Sequence, residues 1–383
     1  MQYHAVIRNA FVFTVATIIA AVALFGDAPA LASPAPQQGS FGAASGGGPC
    51  PTPPSLWASD ADYYGAVTGY GGTNMVPICV IGISTNTPPG FPPGFPTALL
   101  VGSMGLATDS SGALYVADSG NNRIVEYTST GALVTSFTTN ISSTVHTPQA
   151  VCVTGKFIGV VTTQNGANGN VEIFDHTGTL VGSASAANLA LGTYCAFDRS
   201  ENLFMDGNDY SGSSFIWYVR RQQLDTLGGT LTLSNAGSGG WLGMYSRNTL
   251  SQTISALTVP YSGPGCSYCV SLKTWSISSV PGALTLTLQT TCTVTGYPGW
   301  QTESARQIAP AANGDLYIAD WLNHKIERTA PCVNGGSLTV SQINPASIPP
   351  PVGFTVPGIL GYPPSTIPGQ LYWGVATYPT GQY

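Results

Sequence analysis

Charge is scarce in this sequence. Asp, Glu, Lys and Arg make up 7% of its 383 residues, against roughly 25% in ordinary soluble domains. Helices of soluble proteins keep their outer face wet with Lys, Glu and Arg, so the shortage argues for strands and turns. Basic clusters are missing too: 11 Lys and Arg in a chain of net charge −6 give no footprint for a phosphate backbone, which excludes nucleic acid as a partner. Long hydrophobic runs are limited to Phe11 to Phe25, fifteen residues, short of the roughly 20 that span a bilayer as a helix. No Gly-rich loop follows a strand and opens a helix, so nucleotide binding lacks its physical basis.

What fills the gap is 47 Gly, 29 Pro and many Ser, Thr and Asn. Short β-branched and aromatic runs alternate with Gly, Asn, Asp and Pro, the pattern of many short antiparallel strands. The fold class expected is therefore all-β.

The first residues read as a targeting segment. Arg8 supplies a positive start, the apolar run follows, and Asp27-Ala-Pro-Ala-Leu-Ala32 ends in a small-x-small cleavage signal. Residues 1–32 are expected to be a signal peptide, giving a secreted protein, extracellular or periplasmic, with no membrane span after cleavage. Residues 33–55, rich in Pro, Gly and Ser, read as a disordered linker. Residues 56–383 form the globular part.

Cysteine usage agrees with export. Cys50, Cys79, Cys152, Cys195, Cys266, Cys269, Cys292 and Cys332 all lie after the targeting segment, and an even count in an oxidising compartment predicts four disulfides of open connectivity. Cys266-Ser-Tyr-Cys269 can be a redox dithiol or half a zinc site. No second ligand pair accompanies it, so a structural loop staple is the reading taken.

Internal repetition is the most informative feature. The string GLATDSSGALYVADSGNNRIVEY at 105–127 recurs as QIAPAANGDLYIADWLNHKIERT at 307–329. Each copy reads as three strands: one ending near Asp109 or Ala311, one at Leu114 to Ala117 or Leu316 to Ala319, and one at Arg123 to Tyr127 or Lys325 to Arg328. Ser111-Gly112 and Asn313-Gly314 supply the positive φ that tight hairpin turns require.

These two copies resemble the NHL repeat, a blade of four antiparallel strands in a β-propeller. The resemblance implies a β-propeller of four-stranded blades, and degenerate copies can be placed between the two. Ala150 to Val153, Phe157 to Thr163, Val171 to Phe174 and Thr179 to Gly182 make one; Cys195 to Asp198, Leu203 to Asp206, Phe215 to Arg220 and Leu224 onward make another. A further copy spans Trp241 to Cys292. Central strands near 57, 114, 157, 203, 257 and 316 count six blades, with five and seven as neighbouring counts. Ser55 to Asp60, Gly65 to Tyr70 and Val76 to Ile81 supply three strands of a blade lacking its first. Pairing of N- and C-terminal segments, with a strand from beyond Ser341, is expected to complete it and close the ring.

Function is less legible. Propellers with similar blades include metal-dependent lactonases and lyases with channel-facing ligands, and the candidates here are Asp109, Asp198 and Asp206, besides Asp118 and Asp320 inside the repeat. An Asp after a strand more often bonds turn amides, so no metal, cofactor or catalytic residue is assigned. His146, His176 and His324 fall in a loop, a hairpin turn and a repeat turn, and are expected to face solvent. The reading is a monomeric binding or scaffold module for an extracellular protein or carbohydrate. The alternative is a metal-dependent propeller hydrolase or lyase, lactonase-like, with its site in the central channel. Tyr63, Tyr64, Tyr70, Tyr210, Tyr245 and Trp321 lie near turns and are the aromatic candidates for contact with a ligand.

Overall fold

The computed structural model describes residues 49–60, 66–71, 76–84, 97–98, 100–139, 146–164, 168–185, 194–208, 214–225, 229–232, 234–238, 243–246, 252–258, 271–280, 283–295, 305–320, 325–330, 336–343 and 372–378. Six antiparallel sheets of four strands are arranged in a ring, with two short 3-10 turns as the only helical elements among these residues. The protein is a six-bladed β-propeller.

Blade 2 shows how sequence makes a blade. Its strands are Ser103–Thr108, Leu114–Asp118, Arg123–Tyr127 and Leu133–Thr138, paired in that order. All five residues of Leu114–Asp118 are buried, because successive side chains of a strand point to opposite faces and both faces are covered. Leu114 and Val116 pack with Trp57 of blade 1, whereas Tyr115 and Ala117 pack with Ile158 and Phe174 of blade 3. Each such aliphatic side chain contributes roughly 1.5–3 kcal/mol on burial. The same division runs round the ring, with one apolar cluster between each pair of neighbouring blades. Two buried faces per blade leave little room for charge, which accounts for the composition.

Blade 3 comprises His146–Val153, Phe157–Gln164, Asn168–Asp175 and Leu180–Ser185; blade 4 comprises Cys195–Phe197, Leu203–Asn208, Ser214–Val219 and Ser234–Ser238. The fourth strand of blade 4 departs from expectation. Leu224 lies instead in a 3-10 turn, Arg221–Asp225, where it is the buried residue and Arg221 pairs with Asp225 one turn on. Blade 5 has Gly243–Tyr245, Thr253–Thr258, Ser271–Val280 and Ala283–Thr295, and blade 6 has Ala305–Pro310, Leu316–Asp320, Lys325–Thr329 and Ser337–Ile343. Their outermost strands are joined by a short parallel ladder, Thr293–Thr295 on Ser337–Thr339.

Blade 1 takes its strands from both ends of the globular region. Leu56–Asp60, Val67–Gly71 and Val76–Ile81 are preceded in the sheet by Tyr372–Thr377, with Ala58 opposite Val375. The first strand of every blade touches the first strand of the next, and this cycle is complete through Tyr372–Thr377, which meets Ser103–Thr108 on one side and Ala305–Pro310 on the other. Residues from 49 onward belong to the fold: Cys50 is buried and disulfide-bonded to Cys79. A second disulfide, Cys152–Cys195, ties the first strands of blades 3 and 4. Cys292 is disulfide-bonded as well, and no described cysteine is free. Cys266, Cys269 and Cys332 lie outside the described residues.

Candidate ligand-binding cleft

The centre of the ring is tightly packed on the blade 1 and 2 side. A Cβ on Gly374 would sit 2.1 Å from the Met104 carbonyl oxygen, and one on Gly105 would sit 2.6 Å from the Ala150 Cα, so only glycine permits these first strands to approach. Gln307 of blade 6 reaches across them. Its Oε1 accepts the backbone N–H of Leu106 at 2.9 Å and of Val375 at 3.3 Å, and its Nε2 donates to the Leu106 carbonyl.

The carboxylates singled out from the sequence do not converge there. Asp109 and Asp198 cap the turns between first and second strands. Asp109 Oδ1 accepts the N–H of Ser111 and of Ala113, at 2.8 and 2.9 Å. Asp206 stands at the other end of its hairpin, its Oδ1 accepting the Tyr194 N–H at 2.7 Å as that chain enters blade 4. Asp118 does the same for blade 2, taking the Val101 N–H at 2.7 Å and Arg123 Nε at 2.6 Å. Burial raises the Asp118 carboxyl above the usual carboxylate range against the pull of these donors. Asp320 is fully buried at the equivalent place in blade 6. Among the described residues no three His, Cys, Asp or Glu side chains group as metal ligands.

Two histidines differ from expectation. His146 opens the first strand of blade 3 rather than lying in a loop; it is 8% exposed and its Nδ1 bonds Glu172, a fully buried carboxyl. Burial holds the imidazole below its ordinary pKa and pushes Glu172 up to about 8. His176 bridges Tyr115 Oη at 2.9 Å and the Thr154 carbonyl at 2.8 Å, and so is half-buried. Tyr70 and Tyr245 are core residues, at 0% and 1% exposure, because the alternation of their strands turns them into the interfaces of blades 6 and 1 and of blades 5 and 6. Tyr63, Tyr64, Tyr210, Trp321 and His324 lie outside the described residues.

The turns of blades 3 and 4 hold what the sequence reading missed. Three first-to-second-strand turns share one hydrogen-bond pattern, Asp109 to Ala113, Asp198 to Asn202 and Ala311 to Asp315. Their fourth residue has positive φ: Gly112 at 87°, Gly314 at 91°, and Glu201 at 59°. A left-handed conformation costs an L-residue roughly 1–2 kcal/mol, so a glutamate in a glycine position needs support. Arg221 supplies it, its Nε 2.9 Å from Glu201 Oε2 and its Nη1 2.5 Å from Asp225 Oδ1. The guanidinium carbon lies 5.0 Å from the ring centroid of Phe157, a cation–π contact across the blade boundary. Asn202 locks the frame, donating to Asp198 Oδ2 at 2.8 Å and accepting the Arg221 N–H at 3.0 Å.

Between this turn and its neighbour in blade 3 is a cleft of about 300 Å³ lined by Thr154, Gly155, Asp198, Arg199, Ser200 and Glu201. Thr154 Oγ1 fixes the blade 3 turn by accepting the N–H of Lys156 and Phe157, at 3.1 and 3.0 Å. A Cβ on Gly155 would meet nothing within 4 Å, so the floor there is open. Asp198 is itself buried, which raises its carboxyl above the usual range although Asn202 and Ser200 donate to it. Four of the 11 basic residues, Lys156, Arg199, Arg220 and Arg221, belong to these two turns and the adjoining strand end. The signal was readable in the sequence as Glu201 standing where the aligned turns carry Gly112 and Gly314.

Comparison with known proteins gives the following. The NHL repeat family matches residues 105–127. No curated protein matches. Similar solved structures include a protein of unknown function from Bacteroides caccae, at 9% identity and TM-score 0.48, covering 85% of this chain and 98% of that one. Another is a luciferin-regenerating enzyme, at 11% identity and TM-score 0.44, covering 73% of this chain and 93% of that one. The repeat match falls on blade 2, one of the six four-stranded blades, so the chain carries an NHL repeat within a six-bladed β-propeller.

Proposed function

We propose that this protein is an exported, monomeric binding or scaffold module that engages an extracellular protein or carbohydrate through the turns of blades 3 and 4. Export is supported by the apolar run and cleavage signal before Ser33 and by the disulfides Cys50–Cys79 and Cys152–Cys195. The observation that carries the binding reading is Glu201: a strained backbone position is kept, and an ion-pair frame is built to hold it, beside an open cleft. Strain of this kind clusters where a side chain is needed for contact rather than for folding. Loops on a rigid sheet are also where recognition is ordinarily placed.

The test is binding of the mature protein to arrayed glycans and to purified extracellular matrix proteins, beside an Arg199→Ala variant. Retention on at least one class, lost in the variant, is the expected result. Hydrolysis of lactones that depends on added calcium or zinc, with no binding in the array, would replace this reading with the enzymatic one.

A further inference from the structure

We propose that Asn313, at the tip of the first hairpin of blade 6, is a site of spontaneous covalent modification, losing its side-chain amide to attack by the backbone nitrogen of Gly314. The reason lies in how three equivalent turns are capped. In blades 2 and 4 the first turn residue is an aspartate whose Oδ1 accepts the N–H of the third and fifth residues. Asp109 takes those of Ser111 and Ala113, and Asp198 those of Ser200 and Asn202. Blade 6 carries Ala311 in that place, so its turn lacks this cap. Asn313, the third residue, caps from the other side instead. Its Oδ1 accepts the Asp315 N–H at 3.1 Å, and its Nδ2 donates to Asp315 Oδ2 at 2.9 Å. The other two turns have serine at the third position, Ser111 and Ser200, which has no amide to lose.

To meet the N–H two residues on, the Asn313 side chain folds over the Gly314 peptide, which brings its amide carbon toward the Gly314 nitrogen. The Asp315 N–H also holds the oxygen on which negative charge develops during attack. Gly314 presents no side chain to hinder the approach, and its φ of 91° is one that glycine adopts without strain. The Gly314 N–H donates to the Ala311 carbonyl at 2.9 Å. Ala312 and Asn313 beside it are exposed, so water replaces that bond whenever the tip opens.

The reaction needs water alone as co-reactant. The Gly314 nitrogen gives up its proton and bonds to Asn313 Cγ; the Cγ–Nδ2 bond breaks, and Nδ2 leaves as ammonia with a proton in place of that bond. The product is a five-membered cyclic imide. Water then adds to one of its two carbonyl carbons and opens the ring, to aspartate in one case and isoaspartate in the other. Aspartate sets a carboxylate oxygen where Nδ2 now donates, against Asp315 Oδ2. Arg328, which already donates to that oxygen through Nε at 2.9 Å and Nη2 at 2.5 Å, must then serve two carboxylates. Isoaspartate lengthens the backbone by one carbon in the middle of a tight turn.

The sequence supplies its own control. Asn168–Gly169 is the same pair of residues, but it lies within the paired third strand of blade 3, where Gly169 is buried. Asn165–Gly166 and Asn334–Gly335 complete the set and lie outside the described residues. The full mature protein is held for weeks at mildly alkaline pH, folded and in concentrated urea, and each pair is followed separately by peptide mapping and mass spectrometry. In urea, Asn313 and Asn168 are expected to convert at similar rates. In the folded protein Asn313 is expected to convert several-fold faster than Asn168, giving both aspartate and isoaspartate, and Asn313→Ser is expected to show no change in that peptide. Folded protein in which Asn313 converts no faster than Asn168 would overturn the proposal, since the turn would then protect the amide as well as a strand does. The predicted damage is read separately, from Asn313→Asp, whose melting temperature is expected to fall below that of the parent; an unchanged melt would overturn the conflict with Asp315.

Discussion

Gln307 serves Leu106 as a neighbouring strand would, although 201 residues separate them. Its side-chain amide takes the N–H and gives to the carbonyl on the free edge of Leu106, and takes the N–H of Val375 as well. Blade 6 thereby grips blades 1 and 2 at once. Thr108 and Thr377 add to the same seam, the hydroxyl of Thr108 donating to the Thr377 carbonyl at 2.6 Å and that of Thr377 to the Pro310 carbonyl at 2.7 Å. Gln307→Ala removes three hydrogen bonds and leaves backbone groups unpaired in a packed centre, a loss of roughly 2–4 kcal/mol. Gln307→Glu keeps the acceptor and loses the donor, so its stability is expected to recover on acidification. Denaturant melts of both variants across pH check this, and parental stability in Gln307→Ala would show the grip to be incidental.

Glycine at the centre makes a second contrast available. Gly374→Ala sets a methyl group 2.1 Å from a carbonyl oxygen and 2.7 Å from Ser59 Oγ, whereas Gly155→Ala meets nothing within 4 Å. The first is expected to lower the melting temperature by many degrees or prevent folding. The second is expected to leave it within a degree or two, measured by calorimetry.

Truncation tests the shared blade. Removing residues from Tyr372 onward takes away a strand paired with Leu56–Asp60 and strips Val375 and Ala376 from two interblade cores. Aggregation or a large fall in stability is expected from the exposed edge. Removing residues 33–48 instead leaves Cys50 and its disulfide in place and is expected to change little. Equal, mild effects on the two melts would show that the ring does not depend on this pairing.

Acidity bears on the pair of His146 and Glu172. Burial raises Glu172 to about 8 from its ordinary value of 4.5, so the unfolded chain releases this proton first. Its contribution is whole below about pH 4.5 and is lost as pH climbs toward 8. His146, held below 6.5 by burial, works in the opposite sense and costs stability as pH falls. Glu172→Gln is isosteric with the protonated acid. Unfolding free energies measured from pH 4.5 to 8.5 should decline in the parent relative to the variant; a constant difference would mean that Glu172 stays ionised.

The disulfide Cys152–Cys195 spans 43 residues, for which loop-closure entropy gives a stabilisation of about 4 kcal/mol. Replacing both cysteines with Ala is expected to cost a comparable amount, read from denaturant midpoints under non-reducing conditions. A loss below about 1 kcal/mol would mean that the blade 3 and 4 core orders these strands unaided.

Much of the ring was legible because repeats carry the same physics at every copy. Leu114 to Asp118 and Leu316 to Asp320 announce a strand buried on both faces, and both are. The missing strand had its own signature: Gly374-Val-Ala-Thr377 repeats Gly105-Leu-Ala-Thr108, too short a string to stand out in a chain rich in Gly, Ala and Thr. Leu224 misled because one apolar residue serves a strand or a helical turn equally, and the Arg221–Asp225 pair that decides between them acts at helical spacing. His146 looked like loop because its buried partner, Glu172, lies 26 residues further on, in the third strand of the same blade. Glu201 shows itself in the sequence only once its turn is aligned with those carrying Gly112 and Gly314, and the blade 4 copy is too degenerate for that alignment to stand out.

Blade 1 also sets a clock on folding. Ser59 and Gly374 meet in it across 315 residues, so the ring stays open until the last strand has been made and has arrived. Contacts of such separation slow folding, since chain entropy is spent before they reward it. The pairing that seals the ring is therefore also the one with the highest entropic cost to form, since it joins the two described strands farthest apart in sequence.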